Sequence, residues 1–438
     1  MELQRIYVES YGCASNLQDA QIMMGLLEKA GYKIVNNPHE ADLNIINTCI
    51  VKTPTEHRMI YRIKKLQSFG KPLVVAGCMA KAEPEVLEKI APKASLVSPN
   101  SVSRVVEAVY VALGGGKGVF LSDDGCEKPL LPHVRLNSVV EIVEISSGCL
   151  SVCTFCQTKL ARGDLVSYRP EIIREAVARA VGEGCREIWL TSQDCSAYGR
   201  DIGVDITLLL RSILEHQPGK YFIRVGMMNP LHFRKLGLKR LVNAYGDSRV
   251  FKFLHLCVQS GSNRVLRDMR RGYSVSDFEK FVEAFRKAYP DLTLMTDIIV
   301  GYPTEDWSDF EETLKLVERV MPDFANISRF YARPHTEAAK LEPLPPGELN
   351  KRSRILTRIC NEISLSKNER WVGWRGEVLI DEIGGRGEAV GRNYAYRPIA
   401  FPGEKGIKLL GKFVEAEVVG ARSHCLIGEV RRVLDQPM

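Results

Sequence analysis

The chain has 438 residues, and its 45% hydrophobic content is sufficient for real cores; at roughly 150 residues per domain this length suggests about three domains. A net charge of +7 and a pI near 8.7 permit a polyanionic partner without demanding one. No apolar run approaches the ~20 residues of a bilayer span, so no membrane partner is expected. Nor do the twelve cysteines read as a disulfide framework. Met1–Arg5 carries no signal-peptide pattern, and without secretion thiols are metal ligands or reduced core residues. The expected compartment is cytoplasmic, and the protein is expected to be oxygen-sensitive.

Residues 1–115 repeat one unit of strand, cysteine and helix. Ile6–Gly12 runs into Cys13, with a helical pattern from Leu17. Leu43–Thr48 runs into Cys49, with a helix near Thr55–Gln67. Leu73–Gly77 runs into Cys78, with a helix near Glu83–Ile90. Such alternation predicts a three-layer domain with a parallel sheet, whose ligands bind at the carboxyl ends of the strands. One thiol at a strand end is usually core packing. Three at equivalent positions point to a shared ligand, read here as an Fe–S cluster with one iron free of protein. Asn16, Asn47 and Thr48 are candidates to hydrogen-bond its sulfurs. A phosphate is the alternative ligand, but no phosphate-loop motif is present. Gly114–Gly118 reads as the linker ending this domain.

The central segment, 138–365, begins with an apolar β-branched strand at Val139–Ile145 and a turn at Gly148. Cys149, Cys153 and Cys156 follow in C-x3-C-x2-C spacing. Three thiolates on so short a loop can hold three irons of a [4Fe-4S] cube and leave the fourth open. A zinc knuckle needs a fourth Cys or His nearby, and the nearest, His133, lies on the wrong side of the strand; a redox loop is the other alternative. The spacing resembles that of the radical S-adenosylmethionine (SAM) superfamily. The resemblance implies that the open iron chelates SAM and that reductive cleavage yields a 5′-deoxyadenosyl radical.

Further strands are predicted near 187–191, 221–225, 253–258, 293–298 and 325–328. Helices are predicted at 170–183, 205–215, 230–244, 262–288 (broken near Gly272) and 306–320. Six strand–helix units suit an open (β/α)6 partial barrel, since a complete eight-unit barrel takes about 250 residues. Its carboxyl-end rim would carry Gln193, Asp194, Arg224, Gln259, Ser260, Asp297, Arg329 and Tyr331. These are candidates for the ribose, carboxylate and adenine of SAM, with Phe155 beside the adenine. No catalytic residue beyond the cluster ligands is singled out.

Four stretches carry a more specific resemblance: Ser147-Gly148-Cys149 through Arg162-Gly163, Trp189–Asp194, Ala197–Asp201 and Val258-Gln259-Ser260. They are similar to the radical SAM methylthiotransferase family. Within it, the chain looks most like the archaeal and eukaryotic enzymes that thiomethylate N6-threonylcarbamoyladenosine in tRNA. Thr304, His335 and Glu337 depart from the usual residues of two rim loops. The resemblance implies two [4Fe-4S] clusters, one on Cys13, Cys49 and Cys78 and one on Cys149, Cys153 and Cys156. It implies SAM used both as methyl donor and as radical source, and replacement of an inert C2 hydrogen by a methylthio group. It also implies a tRNA anticodon stem-loop, a low-potential electron donor and a sulfur source as partners. The alternatives are isopentenyladenosine in tRNA or an aspartate of a ribosomal protein as substrate, or a non-catalytic RNA-binding Fe–S sensor.

The tail, 371–435, follows a helical stretch at Arg354–Arg370. It is expected to be a small β-barrel with strands at Glu377–Glu382, Gly387–Arg392, Phe413–Val419 and Ser423–Val433, resembling the family's RNA-binding TRAM domain. Basic and acidic residues nearly balance there. Phosphate contacts would therefore come from a patch, with Arg386, Arg392, Arg397, Lys405 and Lys408 as candidates. Tyr394, Tyr396 and Phe401 are candidates for base stacking, against core packing. Cys126, Cys185, Cys195, Cys257, Cys360 and Cys425 share no pattern and read as structural.

Overall fold

The computed structural model describes residues 3–50 and 53–434; Met1, Glu2 and Asp435, to which the readings above extend, lie outside the described residues. Strands β1 (Arg5–Ser10), β2 (Lys33–Val35), β3 (Leu43–Thr48), β4 (Leu73–Gly77), β5 (Ser95–Val97) and β6 (Val119–Phe120) form one sheet. The order is β2-β1-β3-β4-β5-β6 and every pairing is parallel. Strand β3 is buried at all six positions, because helices cover both faces of the sheet. On one side lie helices Ala14–Lys29 and Val105–Leu113, on the other Thr53–Gln67 and Pro84–Ile90. The glycine run does not end this domain. The chain returns through Gly118, whose carbonyl accepts from the Leu96 N–H at 2.8 Å, and adds β6 at the edge.

The central domain contains β7 (Val140–Glu144), β8 (Glu187–Thr191), β9 (Phe222–Val225), β10 (Phe253–His255), β11 (Thr293–Val300) and β12 (Phe324–Arg329). Two parallel three-stranded sheets, β9-β8-β7 and β10-β11-β12, are joined by parallel bridges Ile223↔Val250 and Met228↔Leu256. Strands β7 and β12 do not pair, so the six strands form an open arc. Side-chain alternation sends Ile188, Leu190, Ile223, Val225 and Leu254 outward to the helices. Trp189, Arg224 and Phe253 go to the inner face. The predicted 230–244 helix is two, Pro230–Leu236 and Leu238–Ala244, parted at Gly237 with φ +80°. The predicted break near Gly272 separates Asn263–Asp268 from Val275–Ala288, whose start is fixed by a Ser274/Asp277 capping box.

Helix Pro346–Glu369 leads to a closed five-stranded barrel. Its strands are β13 (Arg375–Ile383), β14 (Glu388–Arg392), β15 (Pro398–Lys405), β16 (Phe413–Ala421) and β17 (Leu426–Leu434). Strand β15 was not expected. Pro398 and Pro402 lower its strand propensity, yet pairing with both β14 and β17 holds it in place. Among the described residues no helix is long and apolar enough to cross a membrane.

Two buried seams tie these parts together. At the first, Arg162 donates to Glu144 at 2.9 Å and to Asp19 at 2.7 Å, and Lys128 donates to the same carboxylates at 3.1 and 2.7 Å. All four side chains are at most 2% exposed. At the second, Arg397 pairs with Asp323 and donates to Asn368 at 2.9 Å. Beside it, Tyr396 packs its ring 4.8 Å from both Phe251 and Phe253. The Tyr394 carbonyl also accepts from the Lys252 N–H at 2.8 Å.

This second seam reassigns several expected RNA contacts. Arg397 is consumed by Asp323, and Arg392 by Asp381 and Glu382. Tyr396 fills the base of the arc, Tyr394 donates to Asp291 at 2.6 Å, and Phe401 is 1% exposed in the barrel core. Phe401 is thus core, and Tyr394 and Tyr396 are engaged by the central domain. Removing one member of a buried ion pair costs about 3–5 kcal/mol. Arg397→Met is therefore expected to destabilise the seam by that order, leaving Asp323 buried without its arginine. Urea unfolding followed by tryptophan fluorescence, to which Trp371 beside Arg397 contributes, measures it.

Candidate active site

Strands β1, β3 and β4 are neighbours in the first sheet, so residues far apart in sequence emerge side by side from their carboxyl ends. Cys13 is the cap residue of helix Ala14–Lys29, Cys49 directly follows β3, and Cys78 opens the short helix after β4. Gly12 makes the approach possible. Its φ is +115°, and a Cβ there would lie 2.8 Å from Cys49 Cβ. Cys49 and Cys78 are buried and Cys13 is exposed.

Asn16, Asn47 and Thr48 brace this corner. Asn16 donates to the carbonyls of Tyr11 and Thr48 at 2.9 and 2.8 Å, and its Oδ1 lies 3.5 Å from Cys78 Sγ. Asn47 donates to the Asn16 carbonyl at 2.6 Å, and the Thr48 hydroxyl to the Ala76 carbonyl at 2.6 Å. The expected donors to sulfur are thus spent on backbone.

The second cysteine loop leaves the end of β7. Gly148, at φ +75°, sits so close to Asp164 that a Cβ would come within 1.9 Å of its carbonyl oxygen. The loop is pinned through Thr154, whose N–H donates to the Met269 carbonyl at 3.2 Å and whose hydroxyl pairs with Tyr302 at 2.8 Å. Donors converge on its sulfurs. Arg271 reaches Cys153 Sγ at 3.2 Å and the Ser151 N–H reaches Cys149 Sγ at 3.4 Å. The N–H groups of Thr158 and Lys159 point at Cys156.

All six cysteines open onto one cavity of about 450 Å³ between the two domains, within the ~300–1,000 Å³ range of small-ligand sites. All twelve cysteines are free thiols. Burial pushes Cys78 up to about 12 and Cys149 up to about 11, so these two thiols, when unliganded, carry protons that a metal would displace. Two groups of three thiols on one chamber, the second with donors aimed at its sulfurs, match what an Fe–S cluster needs. The residues fit that group.

Of the residues expected to contact SAM, Phe155, Gln193, Asp194, Arg224, Gln259, Asp297 and Arg329 line the cavity. Ser260 does not. It is 1% exposed, and its hydroxyl accepts from the Ser262 N–H at 3.2 Å. Asp194 Oδ1 accepts from the Ser196 and Asn229 N–H groups at 3.0 and 3.2 Å; its Oδ2 faces His232 Nε2 at 3.5 Å, and Gln193 Oε1 is buried without a hydrogen bond. Burial raises Asp194 to about 6 against the pull of those hydrogen bonds. The Asp297 carboxyl, though burial opposes it, is held at about 2 by His255 and by hydrogen bonds from Cys257 and Asn326. Its Oδ2 lies 3.0 Å from His255 Nε2 and 2.8 Å from Cys257 Sγ. Cys257, read from sequence as structural, therefore belongs to the chamber wall.

Arg162 and Arg333 also line the chamber; neither was singled out from sequence. Arg333 joins the domains through Glu56 at 2.7 Å and also donates to Gln157 of its own domain at 3.2 Å. Of the loop departures, His335 crosses to the first domain, meeting Glu85 at 3.0 Å, while Glu337 meets Arg270 within the central domain at 2.6 Å.

Sequence families match all three parts: "Uncharacterized protein family UPF0004" over residues 5–98, the radical SAM superfamily over 143–317 and the TRAM domain over 369–430. A Pyrococcus abyssi protein named "Probable threonylcarbamoyladenosine tRNA methylthiotransferase" is 42% identical over 431 residues, covering 97% of this chain and 99% of the relative. The Homo sapiens threonylcarbamoyladenosine tRNA methylthiotransferase is 36% identical, with 98% of this chain and 74% of the relative covered. Among solved structures, the radical SAM methyltransferase TsrM from Kitasatospora setae superposes with a TM-score of 0.58 at 14% identity, covering 77% of each chain. That likeness concerns the fold. Matched from end to end by relatives of one kind, the chain belongs to the threonylcarbamoyladenosine tRNA methylthiotransferase family.

Proposed function

We propose that this protein replaces the C2 hydrogen of N6-threonylcarbamoyladenosine in a tRNA anticodon loop with a methylthio group. The observation that carries this reading is the single chamber onto which six thiols from two domains open. Cys13, Cys49 and Cys78 would hold one [4Fe-4S] cluster and Cys149, Cys153 and Cys156 the other. When bound, the clusters and SAM supply the low-potential electron, the methyl group and the seat for sulfur that substitution at an unactivated C–H bond requires.

The chain's own residues bind and orient. SAM is cationic at its sulfonium and its amino group. Asp194 and Gln193, the acceptor side chains that line the chamber beside the Cys149 loop, suit the ammonium. Phe155 offers a flat apolar face for the adenine. It is held against Val265, Met269 and Tyr302, so it enters the site in one orientation. Gln259, past the end of β10, and Asp297 of β11 suit ribose hydroxyls, and Arg329 lies at the exposed edge. The Arg162 and Arg333 contacts close the seam around the chamber and limit the entry of water.

On the C-terminal barrel, Arg386, Lys405 and Lys408 are exposed and are left as the phosphate-binding candidates. An anticodon loop suits this enzyme because its bases can be splayed out at little cost. A low-potential electron donor and a source of sulfur complete the reaction, in a cytoplasmic setting.

Anaerobically reconstituted protein given SAM, reductant and threonylcarbamoyladenosine-bearing tRNA is expected to yield the methylthio nucleoside, read by nucleoside mass spectrometry. The triple variant Cys13→Ala/Cys49→Ala/Cys78→Ala should retain about four irons of roughly eight and still cleave SAM, but leave the tRNA unmodified. SAM cleavage by the intact protein without any methylthio product would sink the assignment. Asp194→Asn should weaken SAM binding about tenfold, one lost charge-assisted contact, measured by equilibrium dialysis. Reversing Arg386, Lys405 and Lys408 to Glu should lower tRNA affinity and flatten its salt dependence by about one logarithmic unit per lost phosphate contact, measured by filter binding across a salt series.

A further inference from the structure

Arg224 differs from the other arginines of the chamber wall. Arg162, Arg271 and Arg333 each donate to side-chain partners. Arg224 Nε is buried with no hydrogen-bond partner, and no carboxylate pairs with the guanidinium among the described residues. Aromatic rings clamp it instead: Cζ lies 5.2 Å from the Trp189 ring, 5.3 Å from Phe253 and 5.5 Å from Tyr396. Such rings fix a guanidinium and offset part of its desolvation. They cannot accept its in-plane N–H bonds, and a partly buried cation with open donors is costly unless an anion completes it.

Its depth identifies which anion. Arg224 pairs in register with Trp189, and Trp189 with Ile142, so the three share one layer of the arc. Gly226 is two residues nearer the rim, about 7 Å higher at ~3.3 Å per residue. The Cys149 loop starts above that rim, past the end of β7. The cation at the loop itself is Arg271. A cofactor held at the loop therefore meets Arg271, Asp194 and Gln193, and Arg224 is left on the floor for a second occupant. On the substrate reading proposed above, that occupant is a modified adenosine whose N6 substituent ends in a carboxylate. Unmodified and isopentenyl adenosines have no such group.

We propose that Arg224 is the carboxylate-binding residue that selects the threonylcarbamoyl substituent, and thus the substrate-specificity determinant of the chamber. Tyr396 belongs to the C-terminal barrel, so this subsite is complete only when that domain is seated against the base of the arc.

The test compares two anticodon hairpins on the reconstituted protein, one carrying the threonylcarbamoyl group as its free acid and one as its primary amide. Wild type is expected to bind the acid roughly 30-fold more tightly by fluorescence polarisation, the scale of a lost buried charge contact. Arg224→Gln should bind both hairpins at the level of the amide, and Arg224→Lys should fall between. Equal binding of the two hairpins by wild type overturns the proposal without recourse to a variant. So does an Arg224→Gln protein that keeps the preference for the acid. Loss of SAM affinity in that variant with the hairpin preference intact would assign Arg224 to the cofactor instead. The substrate reading fails separately, if wild type cleaves SAM yet methylthiolates neither hairpin whatever its binding preference.

Discussion

Two carboxylates and two cations, buried together between the first sheet and the partial barrel, set the geometry on which the chamber depends. Asp19 comes from the helix behind Cys13, Glu144 from the end of β7, Arg162 from the helix after the second cysteine loop and Lys128 from the connection between domains. Every member touches an element that carries a cysteine or leads to one. Burying four charges confers little net stability, because desolvation offsets much of the attraction. What the quartet confers is direction: any sliding of one domain over the other would leave a charge unpaired in a dry seam. The six thiols are therefore held facing one another rather than merely near.

The C-terminal barrel is bound by the same kind of physics to a different end. Arg397 and Asp323 anchor it, and Tyr394 to Arg397 form a wedge under the open arc. An open six-stranded arc leaves its inner face unfilled at the base, where a closed barrel would pack side chains against each other. Here the neighbouring domain supplies the filling. A domain that resembles an RNA-binding module thereby also forms the floor beneath the chamber, and its exposed basic residues lie on other parts of its surface.

Inside the chamber, polarity is divided by depth. Near the cysteine loop stand two acceptor side chains, Asp194, whose Oδ2 faces His232 Nε2 at 3.5 Å, and Gln193, whose Oε1 has no hydrogen bond; lower down stands a donor without one, Arg224 Nε. Between them Asp297 is held ionised by His255, Cys257 and Asn326. Open donors and acceptors in a buried chamber wall are one place where ligands or water can complete the hydrogen bonding. On the function proposed above, the rim would take a cationic cofactor and the floor an anionic substituent.

Much of this could be read from the chain alone. The recurrence of Cys13, Cys49 and Cys78 after apolar strands, and the C-x3-C-x2-C loop, depend on local spacing, which a sequence displays directly. The strand–helix alternation of the first two domains follows from hydrophobic period for the same reason. Strand β15 escaped notice because Pro398 and Pro402 disguise a strand held in place by its neighbours. Arg392, Tyr394, Tyr396 and Arg397 looked like a nucleic-acid surface because composition does not say which face of a domain is covered. The quartet joins Asp19 to Arg162 across 143 positions, and no local pattern carries such a pairing. Sequence determined which residues could ligate metal and on which kind of element each would stand. Only the tertiary structure decided that they share one cavity and that Arg224 is left without a partner, because these depend on how domains pack, and packing is set by shape and charge across distant parts of the chain.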